Sequence, residues 1–228
     1  MTQALLRIGT PPIEVTVHRN ARARRITLRL TADGRARVTV PSRMPFKDAE
    51  RFVAAHEGWL REKMAGRPEI RRPEVGGTQL YLGEEWPIAQ AAVRSSVIAD
   101  GQMILPQSQM LGPAMERLLK REARRIFAAR CDHYAEALGR PYKSIRLGDP
   151  KSRWGSCSHD GKLMFNWRLI MAPVAVRDYV CAHEVAHLIE MNHSPDFWKI
   201  VAKLRPDYKN ERNWLKRSGA TLLAWEFT

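Results

Sequence analysis

The sequence contains a pair of histidines whose spacing is typical of a metal site. His183 and His187 lie four positions apart in the pentapeptide His-Glu-Val-Ala-His, with Glu184 directly after the first of them. On an α-helix this spacing places both imidazoles on one face, where they can occupy two corners of a zinc tetrahedron. A catalytic zinc ion keeps one position open for water, and Glu184 is placed to act as the base for that water. The pattern predicts a Zn²⁺-dependent hydrolase with Glu184 as its catalytic carboxylate.

The predicted third metal ligand is His193, six residues after the second histidine. Its side chain can reach the metal if the helix ends before it and the chain turns back. Asn192 is a residue type that tolerates the backbone conformation found just after a helix, and Ser194-Pro195 is typical of the start of a new helix. Two other residues stay open as ligands: Glu211 further along the chain, and Cys157 as an inhibitory ligand.

Other polar residues near these motifs are candidates for supporting roles. Arg153, Asn166 and Tyr208 are predicted to bind substrate, as donors to the negative charge that develops on the oxygen of a cleaved carbonyl group. Glu190 and Asp178 are predicted to accept hydrogen bonds from the N–H groups of the metal-binding imidazoles. A structural role is the competing explanation for each of these five residues.

The histidine helix is predicted to begin near Pro173 and to be buried on several sides, because apolar residues surround the histidines. Before it, residues 152–158 and 162–170 are predicted to form two strands joined by a tight turn. This hairpin would form one wall of a cleft above the metal. Its unpaired edge would then be available to an extended peptide.

The rest of the chain predicts an α+β fold with two parts. Residues 1–105 are expected to form a β-rich N-terminal region with one helix, and residues 106–228 a helix-rich, zincin-like catalytic domain with the small hairpin beside the histidine helix. In the first part we predict strands over residues 13–17, 25–30, 35–40, 79–82 and 86–89, a turn at Asp33-Gly34 and a helix over 46–64. The second part is predicted to open with a helix over residues 114–138.

The net charge of +14 indicates a basic surface, which favours polyanions such as nucleic acid or nucleotides. The arginine-rich stretches 19–25 and 120–125 are the candidate contacts, and a surface that is merely solvated explains them equally well. No apolar run is long enough for a membrane span, so no membrane partner is expected. With three cysteines and no CxxC motif, we predict a reduced, cytoplasmic setting.

Four short segments resemble the YgjP-like branch of the SprT-like zinc metallopeptidases: SRWGSC, FNWRLI, YVCAHEVAHL and NHSPDFW. The resemblance implies a helix-rich, gluzincin-like catalytic domain. By position it assigns zinc to His183, His187 and His193, and catalysis to Glu184. The chain departs from the metzincin pattern, because Glu190 stands where that pattern has glycine and no methionine follows to form a Met-turn.

Three classes of function remain open at this point. The first is a peptidase that cleaves an extended peptide lying along the hairpin. The second is a metal-dependent nucleoside triphosphate pyrophosphatase, although the sequence has no glycine-rich phosphate loop. The third is a nucleic-acid-associated protein with a zinc site that is regulatory or vestigial. The presence of Glu184 argues against the third, because a structural zinc ion needs no base.

Overall fold

The structure is a computed structural model that describes residues 4–31 and 34–228. It has the α+β fold that the sequence predicts, with the strands concentrated in the N-terminal part. The chain divides into two compact units, Met1–Pro68 and Glu69–Thr228. This division differs from the one expected at 105/106, because the strands between residues 78 and 106 pack into the core of the second unit. That residues 106–228 form the catalytic domain remains a prediction.

The first unit is a four-stranded sheet with two helices on one of its faces. Strand β2 pairs with β1 antiparallel and with β4 parallel, and β3 pairs with β4 antiparallel. Alternate residues of the strands are buried with the helix residues Ala49, Val53 and Leu60, so the other face of the sheet is left uncovered. The elements are β1 Ala4–Ile8, β2 Ile13–Asn20, β3 Thr27–Leu30, β4 Ala36–Pro41, α1 Phe46–Ala55 and α2 Glu57–Ala65.

Two predictions in this unit need correction or completion. The single helix expected over 46–64 is broken at His56, whose ring nitrogen Nδ1 lies 2.7 Å from the carbonyl oxygen of Phe52. Strands β3 and β4 pair as the predicted hairpin requires, but Ala32 and Asp33 of its turn lie outside the described residues. Strand β1 was not anticipated from the sequence.

The second unit contains two sheets. One has the strand order β5-β6-β8-β7, and the other has the order β10-β11-β9, with β10 at its edge. The hairpin of β10 and β11 was predicted, but residues 167–170 do not continue the strand. They belong to a 3₁₀ helix, Trp167–Met171, because Asn166 caps it by accepting a hydrogen bond from the backbone N–H of Arg168. The strands are β5 Thr78–Tyr81, β6 Glu84–Ala91, β7 Val97–Ala99, β8 Gln102–Pro106, β9 Ser144–Gly148, β10 Gly155–Cys157 and β11 Lys162–Asn166.

Four helices pack around the smaller sheet and form the large core of the second unit: α3 Leu111–Leu138, α4 Val174–Ala186, α5 Pro195–Leu204 and α6 Tyr208–Leu223. Helix α3 ends at Gly139, whose left-handed backbone (φ 60°) suits glycine. Helix α4 carries the His-Glu-Val-Ala-His motif. It is buried on several sides as predicted, with Val180, Val185 and Ala186 in the core.

Candidate active site

Helix α4 ends directly at the second histidine. Residues 188–193 then form a short elbow that brings the chain back to the first histidine. His187 is the last residue before the elbow, and its Nδ1 lies 2.9 Å from the backbone carbonyl of Glu190. The elbow stops at Ser194, whose hydroxyl accepts a hydrogen bond from the backbone N–H of Phe197 and so caps α5 as predicted. Asn192 is not left-handed, since its side chain accepts a hydrogen bond from the N–H of Ser194 instead.

This elbow brings the three predicted imidazoles together. The Nε2 atoms of His183 and His193 are 3.1 Å apart, and one ring nitrogen from each of His183, His187 and His193 lies within 4.8 Å of the others. Two nitrogens bound to one tetrahedral zinc ion at about 2.0–2.1 Å lie about 3.3 Å apart. The arrangement therefore fits a metal ion held by three imidazoles with room for a further ligand.

The surroundings orient these rings and favour the neutral form of His183 and of His187. The ring of Phe197 stacks on His187 at 4.4 Å and lies 4.9 Å from each of His183 and His193. Burial, together with the neighbouring imidazoles, lowers the pKa of His183 to about 3, and burial also lowers the pKa of His187. Neutral imidazole is the form that binds a metal. Phe197 was not identified from the sequence, because an aromatic residue after a helix start is usual in a core.

The hydrogen bonds to the rings differ in part from the prediction. Glu190 does orient an imidazole, but through its backbone carbonyl and not its carboxylate, which lies 3.4 Å from the N–H of Asn192. The hydroxyl of Tyr179 lies 3.5 Å from Nδ1 of His183, one helical turn away. In both cases Nδ1 faces a partner, so Nε2 is the nitrogen that is left for a metal.

Glu184 is buried beside the imidazole cluster, with only 4 % of its surface exposed. Burial raises the pKa of its carboxyl group to about 8, and the positive charge of Arg153 opposes this shift in part. The carboxylate lies against strand β10, where Gly155 has no side chain to displace it. A buried carboxylate with raised basicity is suited to take up and return a proton.

The three predicted substrate-binding residues lie in different environments. Arg153 is exposed next to β10, and its charge acts on Glu184. Tyr208 is half-buried and stacks on Trp198 at 5.2 Å, a ring that also lies near His183. Asn166 is fully buried, donates to the carbonyl of Pro150 and caps the 3₁₀ helix. These contacts give Asn166 a structural role.

The residues considered as further ligands or imidazole partners are placed away from the cluster. Asp178 forms ion pairs with Arg130 and with Arg205, and it makes no hydrogen bond to an imidazole. Glu211 pairs with Arg205 at 3.2 Å, so one buried ionic network connects α3, α4 and α6 through the end of α5. Among the described residues, the group that could hold a metal contains the three histidines and neither Glu211 nor Cys157.

Cys157 has the properties of an unreactive thiol. It lies in β10, and its Sγ is 3.4 Å from the carbonyl of Ser158. Burial, and then the negative charge of Glu184, raise the pKa of Cys157 to about 11. The thiolate, which is the form that binds metal, is therefore disfavoured in this position.

Comparison with known protein families gives a match that covers most of the chain. The sequence model described as YgjP-like, metallopeptidase domain, matches residues 24–218. The chain belongs to the YgjP-like metallopeptidase family. This YgjP-like protein is accordingly a peptidase-like hydrolase, and its family implies a metal ion. The resemblance inferred from the four sequence segments is thus confirmed.

Two further comparisons give no additional evidence for the function. The crystal structure of the metallopeptidase zymogen of Pyrococcus abyssi abylysin is 21 % identical in sequence, with a TM-score of 0.38, and the match covers 41 % of this chain and 95 % of that one. No curated protein matches the YgjP-like chain. Among its described residues, no helix has both the length and the apolar character needed to cross a bilayer.

Proposed function

We propose that this YgjP-like protein is a zinc-dependent peptidase in which His183, His187 and His193 hold the metal and Glu184 is the general base. The observation that carries the proposal is the buried carboxylate of Glu184, which follows the first of three converging imidazoles. When bound, zinc supplies a Lewis acid and lowers the pKa of water to about 7. A purely structural metal site would not need a buried carboxylate next to it.

The chain's own residues account for proton transfer in this scheme. Glu184 accepts the proton of the attacking water and then delivers it to the nitrogen of the leaving amine. Its burial favours this role, because a carboxylate with an ordinary pKa would hold the proton too weakly. The positive charge of Arg153 opposes the effect of burial in part and so favours the ionised form of Glu184. The hydroxyl of Tyr208 is proposed as a donor to the oxyanion, since Tyr208 stacks on a ring beside the imidazole cluster.

Strand β10 is the proposed binding edge for the peptide. It pairs with β11 on one side and has no strand partner on the other within the described chain. The carboxylate of Glu184 lies against this strand at Gly155. A peptide that added to the free edge would therefore pass next to the proposed base with its backbone extended, as cleavage by a peptidase requires.

The nucleotide pyrophosphatase alternative has weaker support. The imidazole cluster and the basic composition suit it, but the family match is to a metallopeptidase domain. A peptide or protein is thus the substrate that we propose. A cytoplasmic location also remains a proposal, supported by three cysteines that are all free in the structure.

The direct test is hydrolysis of two substrates by the zinc-loaded full-length protein. We expect cleavage of casein, which chelation of the metal abolishes and added zinc restores. Release of pyrophosphate from nucleoside triphosphates without any cleavage of casein would replace the peptidase by the pyrophosphatase.

The same preparation, analysed for metal and for the number of nitrogen neighbours, should contain one zinc ion per chain bound by three nitrogens. Sulfur among the metal's neighbours would instead implicate Cys157.

A further inference from the structure

The sheet of the first unit has one face that neither α1 nor α2 covers. The residues that point towards α1 and α2 are apolar and buried, among them Val15, Val17 and Val38. Their neighbours along the strands point to the opposite side and are polar, apart from the exposed Leu5 of β1. A sheet can keep one face in water, so the uncovered face is compatible with the stability of this unit. What needs an explanation is the charge on this face.

Two arginines occupy directly opposed positions on the uncovered face. Arg29 of β3 pairs in register with Arg37 of β4, and Thr16 of β2 is next in the same row. Both arginines are exposed, and neither forms an ion pair with a described residue. Like charges directly opposite each other on neighbouring strands destabilise a sheet. The pair is therefore a cost to folding unless an anion binds between the two guanidinium groups.

The residues around the arginine pair include further hydrogen-bond donors and little negative charge. The adjacent row contains Thr27, Thr39 and His18, whose side chains are half-buried. The one acidic side chain of this face within the described strands, Glu14, is occupied by Arg7 at 2.9 Å. Positive charge continues beyond the sheet in the loop between β2 and β3, where three arginines are exposed, namely Arg22, Arg24 and Arg25.

We propose that this open face binds the sugar–phosphate backbone of a nucleic acid without reading its sequence. Guanidinium groups and threonine hydroxyls are typical partners of phosphate oxygens. The rows formed by β2, β4 and β3 contain no Phe, Tyr or Trp on this face, and their one ring is the half-buried imidazole of His18, so the face offers little surface on which unpaired bases could stack. The surface therefore favours contacts to phosphates over contacts to bases. This proposal is independent of the peptidase activity, since its residues lie in the first unit.

The test compares two double variants of the full-length protein that remove the same charge. Arg29→Gln/Arg37→Gln removes the opposed pair, and Arg51→Gln/Lys63→Gln removes two exposed cations from α1 and α2. Binding is measured by fluorescence anisotropy with mixed-sequence double-stranded and single-stranded oligonucleotides over a range of salt. If both arginines contact phosphates, the plot of log affinity against log salt becomes less steep in the first variant, and the magnitude of its slope decreases by about 2. The control should retain the wild-type slope.

Stability provides a second readout that separates binding from folding. Because the opposed arginines repel each other, Arg29→Gln/Arg37→Gln should unfold at a temperature equal to or above that of the wild type when nucleic acid is absent. Weaker binding by a fully folded variant would then be attributable to lost contacts. Three results would each overturn the proposal. They are an equal loss of nucleic-acid affinity in both double variants, no binding of nucleic acid by the wild type at low salt, and binding to anionic phospholipid vesicles that is at least as strong as binding to nucleic acid. So would a strong preference for single strands, because base stacking would then be the main contact.

Discussion

The carboxylate of Glu184 lies so close to Gly155 that no side chain fits between them. A Cβ atom placed on Gly155 would be 2.4 Å from Oε1 of Glu184 and 2.6 Å from its Cγ. Any other residue at this position would therefore force the carboxylate or strand β10 to move. The contact joins the proposed base to the edge on which we propose that the peptide lies. In the proposed binding mode, the missing side chain at Gly155 lets the substrate backbone come close to Glu184.

We expect the substitution Gly155→Ala to reduce peptide hydrolysis strongly while the protein keeps its metal. The added methyl group displaces the carboxylate from its position at the strand, and misplacement of a catalytic group by about 1 Å costs on the order of 10²-fold in rate. Steady-state kinetics with a peptide substrate and metal analysis of the same sample measure both quantities. Gly58→Ala is the control, because a Cβ atom there meets nothing within 4 Å. Wild-type kinetics in Gly155→Ala would show that the contact does not matter for the reaction.

Replacement of His193 should weaken zinc binding much more than replacement of Glu211. Nε2 of His193 lies 3.1 Å from Nε2 of His183, whereas the carboxylate of Glu211 is paired with Arg205. His193→Ala leaves two imidazoles, too few for the usual catalytic zinc site, which has three protein ligands. Zinc affinity is measured by competition with a chelator of known affinity. The opposite ranking, with Glu211→Gln losing zinc and His193→Ala retaining it, would reassign the third ligand.

The buried carboxylate of Asp178 should contribute substantially to stability. It pairs with Arg130 and with Arg205, and its side chain is only 8 % exposed. We expect Asp178→Asn to lower the free energy of unfolding by about 3 kcal/mol, since Arg130 loses its partner Asp178 and Arg205 keeps only Glu211. Asp196→Asn removes an exposed partner of Lys199 and should cost much less. Urea denaturation of both variants gives the comparison, and equal costs would contradict a stabilising role for the network.

The parts of the site that depend on local sequence could be predicted. The spacing of His183 and His187, and the signals for the start of a new helix at Ser194-Pro195, were sufficient to expect that the imidazoles converge. The two strands of the hairpin could be expected from the turn between them. In each case the residues that decide the structure are within a few positions of one another. For this reason the histidine elbow was accessible from the sequence.

The parts that depend on distant contacts could not be predicted. Asp178 was interpreted as a partner for an imidazole, but its partners are Arg130 and Arg205, at separations of 48 and 27 residues. Asn166 was interpreted as a substrate ligand, and its hydrogen bond to Pro150 spans 16 residues. Gly155 was part of a recognised motif without an assigned role, because its importance comes from its contact with Glu184 on another element. The sequence shows the residue types but not which of them meet.

The hydroxyl group of Tyr208 should matter for the rate of hydrolysis and not for metal binding. Tyr208→Phe preserves the stacking on Trp198 and removes only the proposed donor. Loss of one oxyanion donor reduces kcat by about 10²–10³-fold. Tyr142→Phe is the matched control, since that hydroxyl is bound to Asp132 on the helix α3. If the two variants have the same kcat, Tyr208 is not the donor, and Arg153 becomes the next residue to test.

The central claim is that hydrolysis takes place at Glu184, and the substitution Glu184→Gln tests it most directly. Glutamine keeps the size of the side chain beside Gly155 but cannot accept the proton from water. We expect zinc content and unfolding temperature to match the wild type, while the rate of casein cleavage falls by about 10²–10⁴-fold. Cleavage at the wild-type rate by a zinc-loaded, folded Glu184→Gln protein would contradict the account, because the activity would then arise elsewhere.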